Sequence, residues 1–205
     1  MDYFPLIAAQ GWACGVNAYL SVVLLGLAGR LGWADTPHGL QRNWVIAAAL
    51  AMCLVEFVVD KIPYLDSLWD TVHTAIRPAV AAAVGALTEG RASSPREVAA
   101  AALSALVALA SHGVKAGVRL GVNASPEPFS NMVVSTGEDG AVVGVIGLAL
   151  AHPWIAFGVV LVLLGLGMLL LVALARAARG GLRRLRRRRA ARAGAARDPH
   201  LDSEA

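Results

Sequence analysis

The sequence predicts an all-α integral membrane protein with a basic tail. Of its 205 residues, 57% are hydrophobic and 16% are charged, whereas soluble domains carry about 25% charged residues. Three apolar runs reach the roughly 20 residues that a helix needs to cross the hydrocarbon core. We expect residues 1–175 to form a membrane-embedded helical domain, and residues 176–205 to form a separate, partly disordered tail.

The three long apolar runs are predicted to be spanning helices. They cover residues 6–31, 97–122 and 153–175. The last run carries no charge between Trp154 and Arg176, which makes it the clearest membrane helix in the chain.

Three further hydrophobic segments are shorter or interrupted, and they cover residues 44–59, 74–87 and 132–151. Charged residues fall inside or at the end of each, and Pro78 lies near the start of the second. Irregular backbone is tolerated at membrane depth only where it lines a cavity or is buried in protein. We therefore expect a bundle of about six segments, some of them short or re-entrant; plain helix ends at the membrane surface are the alternative.

The segment 123–131 is polar and contains two prolines, so it is predicted to be non-helical and to lie near the break around Pro63. When the chain is compared with itself at an offset of 63 residues, Pro63 falls on Pro126 and Ser67 on Ser130. Both copies have an apolar helix, a polar helix end, a proline-containing break and a second helix. The pattern indicates a weak internal repeat, with chance matches as the alternative.

Polar residues form two helical stripes and one loop group, and together they are the candidate pathway or binding site. The first stripe consists of Glu56, Asp60, Asp66, Asp70, His73 and Arg77. The second consists of His112, Lys115, Arg119 and Asn123, and the loop group of Glu127, Asn131, Glu138 and Asp139.

Spacing and energetics predict that the two stripes face each other. Residues from Asp66 to Arg77 recur at helical intervals and so share one narrow face. An ionisable side chain at the bilayer centre costs about 2.5–3.5 kcal/mol on insertion scales. We therefore expect Asp66 or Asp70 to pair with Lys115 or Arg119, either as ion pairs that only fix the helices or as a functional polar centre.

Metal binding and covalent catalysis are minor alternatives at this site. Asp70 and His73 share a helix face and are the candidate metal ligands, with Glu127 or Glu138 as partners, but the chain has no H-E-x-x-H motif. No G-x-S-x-G nucleophile motif is present either. The sequence identifies no cofactor.

The tail, residues 176–205, holds ten arginines. Arginine density beside a spanning helix predicts that this end lies in the cytoplasm and touches anionic lipid headgroups. No aromatic residue is interleaved to stack bases, which argues against nucleic-acid binding. Without the tail, eight basic and eleven acidic residues remain, so the membrane domain itself is slightly acidic.

Several long motifs resemble a known family. They read G-V-N-A-Y-L at 15–20, V-E-F-V-V-D-K-I-P-Y-L-D-S-L-W-D-T-V-H-T-A-I-R-P at 55–78, K-A-G-V-R-L-G-V-N-A-S-P-E-P-F-S-N at 115–131 and H-P-W at 152–154. They are similar to the bacterial membrane family of domain of unknown function 4126, over about residues 5–175. The resemblance implies a location in the bacterial inner membrane and implies no activity.

From these features we expect a small transporter or channel that moves a cation or small polar solute through a charged bundle centre. The first alternative is a membrane-embedded enzyme, metal-assisted or not, acting on a lipid or isoprenoid substrate. The second is a structural or assembly protein. Helices rich in Gly and Ala favour close packing and homo-oligomerisation.

Overall fold

The computed structural model describes residues 3–62, 64–90, 94–123 and 128–195, and its regular secondary structure is entirely helical. The helices are α1 (Phe4–Val16), α2 (Ala18–Arg30), α3 (Asn43–Val59), α4 (Leu65–Glu89), α5 (Pro95–Asn123), α6 (Pro128–Ala151) and α7 (Pro153–Ala195). The chain divides into two compact units, Met1–Gly167 and Met168–Ala205, so the division falls within α7.

Within the described residues, three helices are long and apolar enough to cross a membrane: Pro95–Asn123, Phe129–Ala151 and Pro153–Gly181. The first and third correspond to two of the three predicted spans. The second corrects the expectation of an interrupted segment, because the helix runs without a break past Glu138 and Asp139. The all-α membrane bundle predicted from the sequence is confirmed.

The prediction of one spanning helix over residues 6–31 is wrong. Two helices of 13 residues each replace it, α1 and α2. They are separated at Asn17, whose backbone is extended with φ −147° and ψ 99°. The Asn17 side chain accepts a hydrogen bond from the amide of Leu20 at 2.9 Å, which caps the start of α2.

Helices α1 and α2 form a hairpin with its tip at Asn17. At its base, Leu6 in α1 and Thr36 just beyond α2 line one cavity of about 510 Å³ together with Leu87 at the end of α4. At its tip, the hydroxyl of Tyr19 lies 2.9 Å from Nε2 of His73, in the first half of α4. The chain therefore enters the bundle along α1 and returns along α2 to the side from which it came.

Two helices, α1 and α4, pack closely on α5 through glycines. A Cβ atom at Gly15 would lie 2.2 Å from the carbonyl oxygen of Ala108, and one at Gly85 would lie 2.7 Å from that of Ala100. Backbones approach this closely only where a side chain is missing. These contacts fix the depth of α1 and α4 against the polar face of α5.

The segments before and after the break between α3 and α4 differ from expectation in one respect. Helix α3 matches the predicted segment 44–59. The predicted segment 74–87 is only the second half of α4, which begins at Leu65 and continues through Pro78. The polar stripe from Asp66 to Arg77 and the apolar segment after it therefore lie on one continuous helix.

Helix boundaries agree with the proposed repeat. At an offset of 63 residues, the end of α3 at Val59 falls on Val122, next to the end of α5 at Asn123. The start of α4 at Leu65 falls on Pro128, where α6 starts. In each pair, one helix ends and the next begins at corresponding positions.

The expected non-helical segment 123–131 is wrong at both ends, because Asn123 closes α5 and residues 128–131 open α6. Proline is compatible with the first turn of a helix, where its missing N–H needs no partner. Residues 124–127, including Glu127, lie outside the described residues. Asn131, which follows these residues on α6, contacts the end of α3 as expected: its Nδ2 donates to the carbonyl of Asp60 at 3.2 Å.

Candidate functional site: a buried charge cluster

Eight charged side chains from four helices meet beside the tip of the α1–α2 hairpin. We call them the charge cluster: Glu56 and Asp60 at the end of α3, Asp66, Asp70 and Arg77 on α4, Lys115 and Arg119 on α5, and Glu138 on α6. Seven of them are buried, and the Glu138 side chain is 16% exposed.

At one end of the charge cluster lies Arg77. Its Nη2 donates to Oε1 of Glu56 at 2.5 Å, and its Nη1 lies 2.9 Å from Oδ1 of Asp70. Nη1 also lies 2.6 Å from Nδ1 of His112 and 3.5 Å from the carbonyl of Gly15 at the end of α1. One guanidinium thus joins α3, α4, α5 and the hairpin.

Lys115 occupies the middle of the charge cluster. Its Nζ donates to Oδ2 of Asp60 at 2.6 Å and to the carbonyl of Val16 at 3.1 Å. Two further carboxylates are nearby, Glu56 at 3.6 Å and Glu138 at 3.7 Å. The ammonium therefore links α3 with the hairpin tip and α6.

Arg119 closes the other end. Its Nη2 donates to Oε2 of Glu138 at 2.5 Å, and its Nη1 donates to the carbonyl of Asp60 at 2.7 Å and to Oδ1 of Asn131 at 2.8 Å. Oδ2 of Asp66 lies 3.4 Å from Nη1. The predicted pairing of the acidic with the basic stripe is confirmed for Asp66 and Arg119.

Asp70, the other acid considered for this pairing, has a different partner. Its partner is Arg77, seven residues along the same helix, and no ion pair joins it to Lys115 or Arg119 among the described contacts. Spacing alone placed Asp70 and Arg77 on one face but did not select one as the partner of the other.

Carboxylates outnumber cations in the charge cluster, five against three. Consistent with this excess, three carboxylate oxygens receive neither a hydrogen bond nor an ion-pair contact in the described structure: Oε2 of Glu56, Oδ1 of Asp60 and Oδ2 of Asp70. All three atoms are buried. Since an unpaired buried charge costs several kcal/mol, this centre favours a proton or a cation.

The two histidines have defined hydrogen-bonding roles. An arginine can only donate, so Nδ1 of His112 accepts from Arg77, and Nε2 of the neutral ring then donates to the hydroxyl of Thr74 at 3.1 Å. Nδ1 of His73 donates to the carbonyl of Trp69 at 2.8 Å, and its Nε2 faces Tyr19. Trp69 also stacks on His73, with ring centroids 4.4 Å apart.

A metal centre at Asp70 and His73 gains no support from this geometry. Both ring nitrogens of His73 already have partners. Within the part of the chain that the structure describes, no group of three or more His, Cys, Asp or Glu side chains could hold a metal ion. Glu127, the other proposed partner, lies outside that part.

The remaining predicted site residues lie at the edge of the charge cluster. Nδ2 of Asn123 donates to Oδ1 of Asp66 at 2.9 Å, and Asn131 bonds Arg119. Asp139 forms no ion pair with the cations of the charge cluster among the described contacts, and it accepts from Nδ2 of Asn17 at 3.0 Å. The structure thus joins both stripes and most of the loop group into one connected site.

Sequence reasoning missed the hairpin tip. The carbonyls of Gly15 and Val16 become hydrogen-bond acceptors because α1 ends there, and the last carbonyls of a helix have no partner within it. A usable signal was present, since Asn17 is the one strong helix-capping residue in the run from Leu6 to Leu20.

An apolar cavity of about 310 Å³ adjoins the charge cluster. Trp12, Val118 and Leu163 contribute to its walls, and Lys115 and Glu138 reach it from the cluster. The cavity is therefore suited to an apolar chain that meets charged groups on one side.

Comparisons with known proteins support the resemblance seen in the motifs. The model of a family described as "Domain of unknown function (DUF4126)" matches residues 5–173. No curated protein matches the chain, and no solved structure does.

Proposed function

Since this chain belongs to the domain of unknown function 4126 family, whose description names no activity, we propose a function from the charge cluster itself. The protein moves a cation or small polar solute across the membrane, with the charge cluster as the binding centre of the pathway. The observation that carries this proposal is the excess of buried carboxylates over buried cations.

Energetics favour transport over a purely structural role. Ionisable groups within membrane segments are costly and are kept mostly where ions or protons pass. A structural cluster would be expected to balance its charges, because each unpaired buried charge is destabilising. Three carboxylate oxygens without donors instead leave acceptor capacity for a positively charged or hydrogen-bond-donating solute.

The helix-break-helix hairpin supports the same function. Transporters commonly bind substrates and ions where helices are interrupted, because free backbone groups face the site there. Here the carbonyls of Gly15 and Val16 face Arg77 and Lys115 at 3.5 and 3.1 Å. Each arm of 13 residues is about 20 Å long, shorter than the hydrocarbon core of about 30 Å.

We also propose a cellular setting that agrees with this function. The protein resides in the bacterial inner membrane with its arginine-rich tail in the cytoplasm, where the tail contacts anionic lipids. Copies of the chain associate through exposed apolar helix faces, such as the one that carries Leu106 and Leu109 on α5.

Flux through reconstituted vesicles tests the transport proposal. Purified full-length protein and its Asp70→Asn variant are compared for uptake of alkali cations, protons and small polar solutes, and melting temperature is measured on the same preparations. We expect wild-type flux and a clear loss in Asp70→Asn with little change in melting temperature. Thr136→Val, a change on the exposed face of α6, should leave flux intact.

Each alternative predicts a different result. If the wild type passes no cation or polar solute in a broad screen, transport is wrong. If Asp70→Asn lowers the melting temperature strongly in a protein without flux, the cluster only holds the helices together.

A second candidate function is a membrane-embedded enzyme acting on a lipid or isoprenoid. The apolar cavity of about 310 Å³ that reaches Lys115 and Glu138 favours it, because an acyl or prenyl chain fits such a space while its polar end meets charged groups. Turnover of a labelled lipid by wild-type protein, lost in Glu138→Gln, would select this function over transport.

A further inference from the structure

We propose that α4 carries a binding site for one alkali-metal cation, built from the carboxylate of Asp70 and the hydroxyl groups of Ser67, Thr71 and Thr74. The role of this site rests on the proposed function. The site adds to that function the class of ion that the pathway takes.

The four side chains line one small surface cavity, at which Asp70 is buried and Thr71 and Thr74 are exposed. They follow the spacing i, i+3, i+4 and i+7, which places them on one helix face. A cavity of about 90 Å³ is lined by all four, with Ala116 and Leu120 of α5 on the opposite wall. That volume holds an alkali cation with water, since a single water molecule needs only about 10–15 Å³ of such space.

Asp70 supplies the charge at this cavity. The residue is 2% exposed, and its Oδ1 pairs with Arg77 at 2.9 Å. Its Oδ2 is buried and receives no hydrogen bond from the described residues. Asp70 is therefore a buried acid with one oxygen uncompensated, positioned where the charge cluster meets the cavity.

The hydroxyl groups are oriented as cation ligands. Thr71 donates its hydrogen to the carbonyl of Ser67 at 2.8 Å, and Thr74 donates to the carbonyl of Asp70 at 3.0 Å. Since each hydrogen is directed at the helix backbone, oxygen lone pairs remain for a ligand: two on Thr71 and one on Thr74, which also accepts from Nε2 of His112 at 3.1 Å. Ser67 Oγ accepts from Nδ2 of Asn123 at 2.9 Å and retains a second lone pair.

Charge and ligand type select a monovalent, hard cation. Carboxylate and hydroxyl oxygens suit alkali and alkaline-earth ions rather than soft metals. Asp70 and Glu56 share the single cation Arg77, so these three groups carry one net negative charge, which balances one monovalent ion. No group of three acids, histidines or cysteines suited to a metal ion occurs among the described residues.

Thermal stability in matched salts tests the site. Full-length protein in detergent is titrated with NaCl against choline chloride at constant ionic strength, since an ion that binds only the folded state raises Tm in a saturable way. We expect a sodium-specific rise in the wild type. Thr71→Val keeps the shape but removes one oxygen, so the half-saturating sodium concentration should rise roughly tenfold, and Asp70→Asn should abolish the response.

The matched control is Thr136→Val. Thr136 is exposed on α6 and donates to the carbonyl four residues earlier at 2.8 Å, as Thr71 does, but it lies outside the cavity. Its variant should respond to sodium as the wild type does. A wild type that responds equally to choline, or a Thr71→Val response identical to that of Thr136→Val, overturns the site.

Vesicle flux separates this site from the proposed function. If Asp70→Asn reduces flux but neither sodium nor Thr71→Val affects it, transport remains supported and the alkali-cation site is refuted. Saturable sodium binding in a protein that passes no solute keeps the site and refutes transport.

Discussion

Replacing Arg119 by Met tests the excess of carboxylates over cations in the charge cluster. The guanidinium donates to Glu138, to the carbonyl of Asp60 and to Asn131, and it lies 3.4 Å from Asp66. Met has a similar length but no charge. After the change, five carboxylates face only Arg77 and Lys115.

The expected cost follows from the contacts that remain. Removing one partner from a buried ion pair costs about 3–5 kcal/mol. Asp60 keeps Lys115 at 2.6 Å, but the nearest remaining cation to Glu138 is Lys115 at 3.7 Å. For a chain of this length 1 kcal/mol corresponds to about 2–4 °C in Tm, so we expect Tm to fall by about 6–20 °C.

Neutralising an acid should cost less than removing this cation. In Asp70→Asn, Arg77 keeps Glu56 at 2.5 Å, so no buried cation loses its last partner. The double variant Arg119→Met/Glu138→Gln removes the acid that Arg119 holds most closely, and it should recover part of the lost stability because the two sites are in contact.

Thermal unfolding in detergent or nanodiscs measures these differences. Arg30→Met is the control, since Arg30 is exposed at the end of α2 and should shift Tm by only about 1 °C or less. A smaller loss in Arg119→Met than in Asp70→Asn would contradict the excess of acids. So would a double variant less stable than Arg119→Met alone.

Two further predictions concern packing and topology. In Gly15→Ala the new Cβ would lie 2.0 Å from Oγ of Ser111, so we expect chemical or thermal unfolding to show a loss of stability of about 1–3 kcal/mol. The control Gly113→Ala, with no atom within 4 Å of its Cβ, should be neutral or slightly stabilising. Equal effects of the two changes would contradict the close α1–α5 contact. A cysteine introduced at Ala195 should resist a membrane-impermeant reagent in intact cells, and ready labelling there would refute a cytoplasmic tail.

Periodicity predicted the polar faces of the helices because it depends only on local geometry. The residues from Asp66 to Arg77 lie on one face of α4, and Lys115 and Arg119 lie on the facing side of α5, as their spacing required. The sequence did not show which acid pairs with which cation within the site. Each acid had several cations within reach, so the pairing of Asp70 with Arg77 depended on the tertiary arrangement of α3 and the hairpin.

The hairpin was missed because hydropathy averages over a window. Residues 6–31 form a continuous apolar run, and one Asn barely lowers its mean hydropathy. The turn at Asn17 is stabilised by tertiary contacts, namely Asp139 for its side chain and Lys115 for the freed carbonyl of Val16. Neither contact is visible in a local pattern, whereas the capping preference of Asn is.

The hairpin also contributes neutral hydrogen-bond acceptors to the charge cluster. Lys115 directs one N–H at the carbonyl of Val16, and Arg77 directs Nη1 towards the carbonyl of Gly15 and His112. Both cations thus direct part of their donor capacity at neutral acceptors while they still contact Asp60 and Asp70. The turn at Asn17 therefore does more than shorten two helices, because it brings the carbonyls of Gly15 and Val16 into contact with two of the three cations.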